Sequence, residues 1–88
     1  MGVLLTARRR ELLQLLHKND GWIELSGSLK TASIYSADDR YAIIATMRID
    51  TLIDLRRDGL ISRIDSGMYQ ISDKGREAAS TGSYERES

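Results

Sequence analysis

The chain has 88 residues, 41% of them hydrophobic and 30% charged, with thirteen basic residues against thirteen acidic ones and a formal net charge of zero. That length supports one small domain with a thin stability margin. The absence of cysteine excludes disulfides and thiolate metal ligands, a single histidine cannot build a metal site alone, and no apolar run approaches the roughly 20 residues that span a bilayer.

In chain order, Met1-Gly2-Val3-Leu4-Leu5-Thr6 formally fits the N-myristoylation pattern. The plainer reading is a short apolar lead-in with Thr6 as a helix N-cap. No signal peptide is visible, which fits a cytoplasmic protein. Thr6 to Lys18 reads as a first helix, with Leu12, Leu13, Leu15 and Leu16 as its apolar stripe. Arg8, Arg9 and Arg10 sit in its first turn, against the helix dipole. They hint weakly at an anion nearby, whereas the plainer reading points them into water. Asn19 or Gly21 is expected to take the left-handed cap. Trp22-Ile23-Glu24-Leu25 has the composition of a short strand, and Ser26-Gly27-Ser28 that of a turn.

Residues 29–45 leave two readings open. Asp38 and Asp39 suit a first helical turn, followed by Tyr41, Ile43 and Ile44 as an apolar side. Alternatively, β-branched and aromatic residues flank a polar turn at Ser36-Ala37-Asp38-Asp39, which suits a hairpin. The expectation taken forward is a short helix around Ala37 to Ile44.

Thr46 to Ser72 carries the clearest pattern. Ile49, Leu52, Ile53 and Leu55 recur at helical spacing, with Thr46 as candidate N-cap and Gly59 at the C′ position. From Ile61 the period drops to two, Asp65-Ser66-Gly67 supplies a turn, and Met68 to Ser72 returns. Asp73 is then expected to cap a helix over Lys74–Ser80. Residues 81–88 are polar and aperiodic, which reads as a flexible tail behind a domain at 4–80.

The order Leu52-x-x-Leu55-x-x-x-Gly59-Leu60-Ile61, hairpin, then Ile71-Ser72-Asp73-Lys74-Gly75-Arg76-Glu77 resembles the end of a winged helix-turn-helix domain of the small MarR and PadR type. The resemblance covers about a third of the chain. It implies an α+β fold of three helices with a C-terminal β-hairpin wing, and a short strand at Trp22–Leu25 paired with that wing. It also implies double-stranded DNA as partner, met as a homodimer by a small transcriptional regulator. Thr46, Met47, Arg48, Asp50, Thr51 and Asp54 would then face DNA, with Arg56 and Arg57 toward the helix end. Arg63 would lie at the wing base, and Arg8 to Arg10 or Lys30 beside the phosphate backbone.

Three features set this chain apart from a strongly basic DNA binder. Its net charge is zero, so a phosphate-binding surface must come from segregation of charge. Asp50 and Asp54 sit four apart on the expected reading face, although Arg57 could neutralise Asp54 within the helix. The hairpin tip Asp65-Ser66-Gly67 carries no base. The alternative reading is therefore a winged-helix interaction module, or a phage- or plasmid-encoded inhibitor of host machinery, with Ile34, Tyr35, Tyr41, Ile43 and Ile44 as contact residues. No spacing of histidine, serine or carboxylates suggests a catalytic set, and no cofactor or metal site is expected.

Overall fold

The computed structural model describes residues 2–25, 30–38 and 42–85. In chain order its elements are β1 (Gly2–Leu4), α1 (Ala7–Lys18), β2 (Trp22–Leu25), β3 (Thr31–Tyr35), β4 (Ile43–Arg48), α2 (Ile49–Arg57), β5 (Ile61–Asp65), β6 (Met68–Ile71), α3 (Asp73–Thr81) and β7 (Ser83–Glu85). Five strands form one antiparallel sheet in the order β4-β3-β2-β6-β5, and β1 pairs with β7 in a separate two-stranded sheet. The expected small α+β domain with three helices is thus present, and no helix among the described residues is long and apolar enough to cross a membrane.

Helix α1 forms where its pattern predicts. The Thr6 hydroxyl accepts from the Arg9 N–H at 3.2 Å, and Leu12, Leu13 and Leu16 are fully buried. The stop differs by one residue: Asp20, with φ 47°, takes the left-handed conformation expected of Asn19 or Gly21. Gly21 is needed for space, because a Cβ there would lie 2.5 Å from the Tyr35 carbonyl oxygen.

Between α1 and α2 the hairpin reading wins, and the helix expected around Ala37–Ile44 is corrected. Ile43 and Ile44 open strand β4, while residues 39–41, with the expected contact residue Tyr41, lie outside the described residues, as does the expected turn at 26–28. The reason is packing across strands. Ala32 and Ile34 are fully buried opposite Leu25 and Ile23, and Tyr35 stacks on Trp22 with ring centroids 5.8 Å apart. A helix over 37–44 would forfeit the β3–β4 ladder and this burial.

The ladder also moves the start of α2. Thr46, Met47 and Arg48 continue β4 rather than opening a helix at Thr46. Met47 lies opposite Ala32 and is 4% exposed, and the Ile49 N–H still donates to the Lys30 carbonyl at 3.0 Å. Arg48 is the N-cap and makes no side-chain capping bond. The helix ends as expected at Gly59, with φ 77°. Gly59 N–H bonds the Arg56 carbonyl and Leu60 N–H the Leu55 carbonyl, the paired bonds of a Schellman stop.

The β5–β6 hairpin turns at Gly67, φ 72°, with the Asp65 carboxylate accepting from the Ser66 N–H at 2.7 Å. β6 also pairs with β2, so the short strand at Trp22–Leu25 joins the hairpin as expected. Ser72, not Asp73, caps α3, accepting from the Gly75 N–H at 3.0 Å and donating to the Gly59 carbonyl at 2.6 Å. The expected tail beginning at 81 is a further correction. Ser83–Glu85 is strand β7, and Tyr84 is 7% exposed with its hydroxyl donating to Asp58 Oδ2 at 2.5 Å. Residues 86–88 lie outside the described residues. One cluster of buried side chains unites α1, α2, α3 and one face of the large sheet.

Candidate nucleic-acid interface

Helix α2 buries Leu52 and Leu55 against the sheet, and its period of 3.6 leaves Asp50, Ile53 and Arg57 along the opposite side. Ile53, expected to pack with the leucines, is 53% exposed instead. The delayed start of the helix splits the expected contact set. Met47 belongs to the core. Thr46 and Arg48 alternate with it on β4 and so project from the sheet face opposite the core. Arg48 Nη2 lies 3.6 Å from Asp50 Oδ2, with both side chains about four-fifths exposed. Thr51 is half-buried on the flank of α2.

What the fold does bring together is the C-terminal half of α2 and the base of the β5–β6 hairpin. The Arg56 guanidinium lies over the Tyr69 ring, 5.6 Å from its centroid. Arg63 stands directly opposite Tyr69 in the β5–β6 ladder and donates from Nε to the Asp65 carbonyl at 3.3 Å. Tyr69 itself is 6% exposed, so its ring is a floor under the exposed Arg56, with the exposed Arg63 across the ladder from it. Such a cation over an aromatic face contributes about 0.5–1 kcal/mol at an exposed site and fixes the direction of the guanidinium.

Asp54 is not an open carboxylate on this surface. Arg57 Nη2 reaches Oδ1 at 2.9 Å, as the helical spacing predicts, and Arg9 Nη2 reaches Oδ2 at 2.6 Å from the head of α1. Each of these part-exposed pairs is worth less than about 1 kcal/mol to stability. Their larger consequence is electrostatic: Asp54 is matched by two cations, Arg9 and Arg57, beside the exposed Arg56.

The three arginines of the first turn of α1 do not simply point into water. Arg8 pairs with Glu11 at 3.2 Å and donates to the Thr46 carbonyl at 2.9 Å. Arg9 holds Asp54. Arg10 donates to the Ala79 and Ser80 carbonyls at 3.3 and 3.1 Å, closing orphan acceptors at the end of α3. Sequence reasoning set Arg9 beside the phosphate backbone but missed its pairing with Asp54, and missed Tyr69 as part of this surface. Arg9 and Asp54 are 45 positions apart, so no local periodicity could join them. Comparison with known protein families, with curated proteins and with solved structures finds no match.

Proposed function

We propose that the chain is a winged-helix-like module of a small cytoplasmic transcriptional regulator, binding double-stranded DNA along the solvent side of α2 and the base of the β5–β6 hairpin. In this reading β5, β6 and β2 are the three-stranded wing sheet, and the β3–β4 hairpin replaces the helix that ordinarily precedes the recognition helix. The observation that carries it is the arginine corner. Arg56 lies over Tyr69 beside Arg57, Arg63 stands across the ladder from Tyr69, and the acid that would repel phosphates, Asp54, is paired from two sides. A helix of roughly 10 Å diameter fits the major groove, and guanidinia match phosphate oxygens by forked donation. Arg56, Arg57 and Arg63 serve as phosphate contacts. Asp50 and Thr51 are left as the polar side chains of α2 available to base edges, and Arg48 reaches DNA only past its N-terminus.

The test is anisotropy of a labelled random duplex titrated across salt. Binding should weaken as salt rises, and Arg56→Ala and Arg63→Ala should each reduce the slope of log K against log salt by about one. No binding at low salt, or affinity indifferent to both substitutions, overturns the reading.

A second reading, protein interaction without DNA, is favoured by one feature of α2. Ile53 stands exposed between Asp50 and Arg57, an apolar side chain suited to a protein surface and idle against phosphates. Loss of a protein partner on Ile53→Ser, with DNA binding absent throughout, would select it.

A further inference from the structure

Helix α1 reaches the arginine corner through one side chain. Arg9 lies in its first turn, 45 residues before Asp54, and its Nη2 donates to Asp54 Oδ2 at 2.6 Å. The other carboxylate oxygen, Oδ1, takes Arg57 Nη2 at 2.9 Å. The two cations stand in different surroundings. The Arg9 and Asp54 side chains are 30% and 29% exposed, whereas that of Arg57 is 66% exposed in the last turn of α2. A half-buried ion pair is screened less by salt than an exposed one, so Asp54 is held mainly from α1. Arg57 keeps only a pair between residues three apart on one helix, with its own end in solvent, a kind that contributes little.

That division of the carboxylate decides what Arg57 can do. A guanidinium and a carboxylate left to each other form a fork, two parallel N–H···O bonds that use both oxygens. Arg9 occupies Oδ2, so Arg57 meets only Oδ1, through a single nitrogen. Its second acidic neighbour, Asp58 Oδ1, lies 4.0 Å from Nε, beyond hydrogen-bond reach, and Asp58 Oδ2 accepts from the Tyr84 hydroxyl. Arg57 is thus fastened to Asp54 at one point. The two oxygens of a phosphodiester offer the fork that Asp54 no longer can.

We propose that Arg9 is a positioning residue for phosphate binding: by holding Asp54 from α1, it lets Arg57 exchange that carboxylate for a phosphodiester of the duplex. Arg9 itself meets the acid and no phosphate, unlike the place beside the backbone that the winged-helix resemblance gives it. Without Arg9, Asp54 takes Arg57 through both oxygens, and the corner loses a cation to its own helix. The inference rests on the DNA reading of α2 and deepens it, by separating the arginine that binds from the arginine that releases it.

The test is a double-variant cycle on the full chain, read by anisotropy of the labelled random duplex at low salt. Arg9→Met keeps an apolar stem and removes the charge. It should weaken binding about three- to tenfold, while Arg9→Lys, which still presents a cation to Asp54, should recover most of that loss. In an Asp54→Asn background Arg9→Met should change affinity by less than about twofold, because no acid is left to capture Arg57. An equal loss in both backgrounds means that Arg9 meets phosphate directly and overturns the proposal, as does an Arg9→Met chain that binds like the parent. A second measurement needs no duplex. The heteronuclear 15N NOE of the Arg57 Nε–H group, in the protein alone, should rise in Arg9→Met as Arg57 becomes fixed on Asp54, a change that mere loosening of α1 does not produce. An NOE that stays level or falls overturns the proposal. A chain that ignores duplex at low salt sinks the DNA reading, whereas a risen NOE in that same chain still upholds the coupling of Arg9 to Arg57 through Asp54.

Discussion

Tyr84→Phe is the substitution that isolates how far the chain's end belongs to its fold. The ring is 7% exposed, and Lys74 Nζ lies 5.7 Å from its centroid; phenylalanine keeps both the burial and that contact. Only the hydroxyl is lost, and with it the bond to Asp58, a carboxylate on a residue 8% exposed at the end of α2. A hydrogen bond to a charged group is worth about 1.5–3 kcal/mol. Arg57 Nε, 4.0 Å from Asp58 Oδ1, still partly compensates the carboxylate, so the lower end of that range applies. A loss of about 1.5 kcal/mol in a domain of this size lowers Tm by about 6–12 °C. Thermal unfolding by circular dichroism reads it directly, and urea titration should show a lower midpoint at unchanged slope. A Tm within a degree of the parent would refute the reasoning and return residues 81–85 to the status of a loose tail.

Three further substitutions probe the packing and the charge. Gly75→Ala should destabilise by about 3 kcal/mol, although alanine is the better helix former by about 1 kcal/mol. A Cβ at Gly75 would lie 2.0 Å from the Leu60 carbonyl oxygen, so a stabilised variant in urea titration would disprove the close approach of α3 to the α2 stop. Leu55→Ala, at a side chain 1% exposed, should cost about 2–5 kcal/mol in the same titration, and a cost under 1 kcal/mol would contradict its place in the core. Asp54→Asn should lower stability by less than about 1 kcal/mol while tightening random-duplex binding at low salt, because Arg9 and Arg57 lose their anion. Unchanged binding in the anisotropy titration would place phosphates elsewhere.

What was legible in the sequence is what local chemistry decides. Thr6 and the leucines of α1, Gly59 with Leu60, and Gly67 between alternating strands each act through neighbours within a few positions, so spacing and turn residues suffice. The β3–β4 hairpin needed a comparison between distant partners. Ile43 to Met47 is β-branched and apolar enough for a strand, but Asp38 and Asp39 offered a competing helical start, and strand preference is settled by what lies across the ladder. β7 was less legible still. Its partner β1 lies at the other end of the chain, and both strands have only three residues. Nothing in a polar stretch such as Thr81 to Ser83 announces that the next tyrosine closes a buried bond to Asp58.

The same non-local pairing decides what α2 presents to solvent. A helix beginning at Thr46 would have set Arg48 four residues before Leu52, on the side that Leu52 and Leu55 bury, and away from Asp50. The ladder to β3 instead holds Met47 opposite Ala32 and turns Thr46 and Arg48 onto the open sheet face, so the helix begins three residues later with Ile49. Its free side then runs Asp50, Ile53, Arg57, and basic character collects at the far end beside Arg56 and Arg63. Any groove-binding geometry must follow that shift. Under the DNA reading proposed above, phosphate contacts would fall to the C-terminal half of α2 and the hairpin base, where Asp54 is already matched by Arg9 and Arg57, and not to the helix N-terminus, where Asp50 faces water beside Arg48.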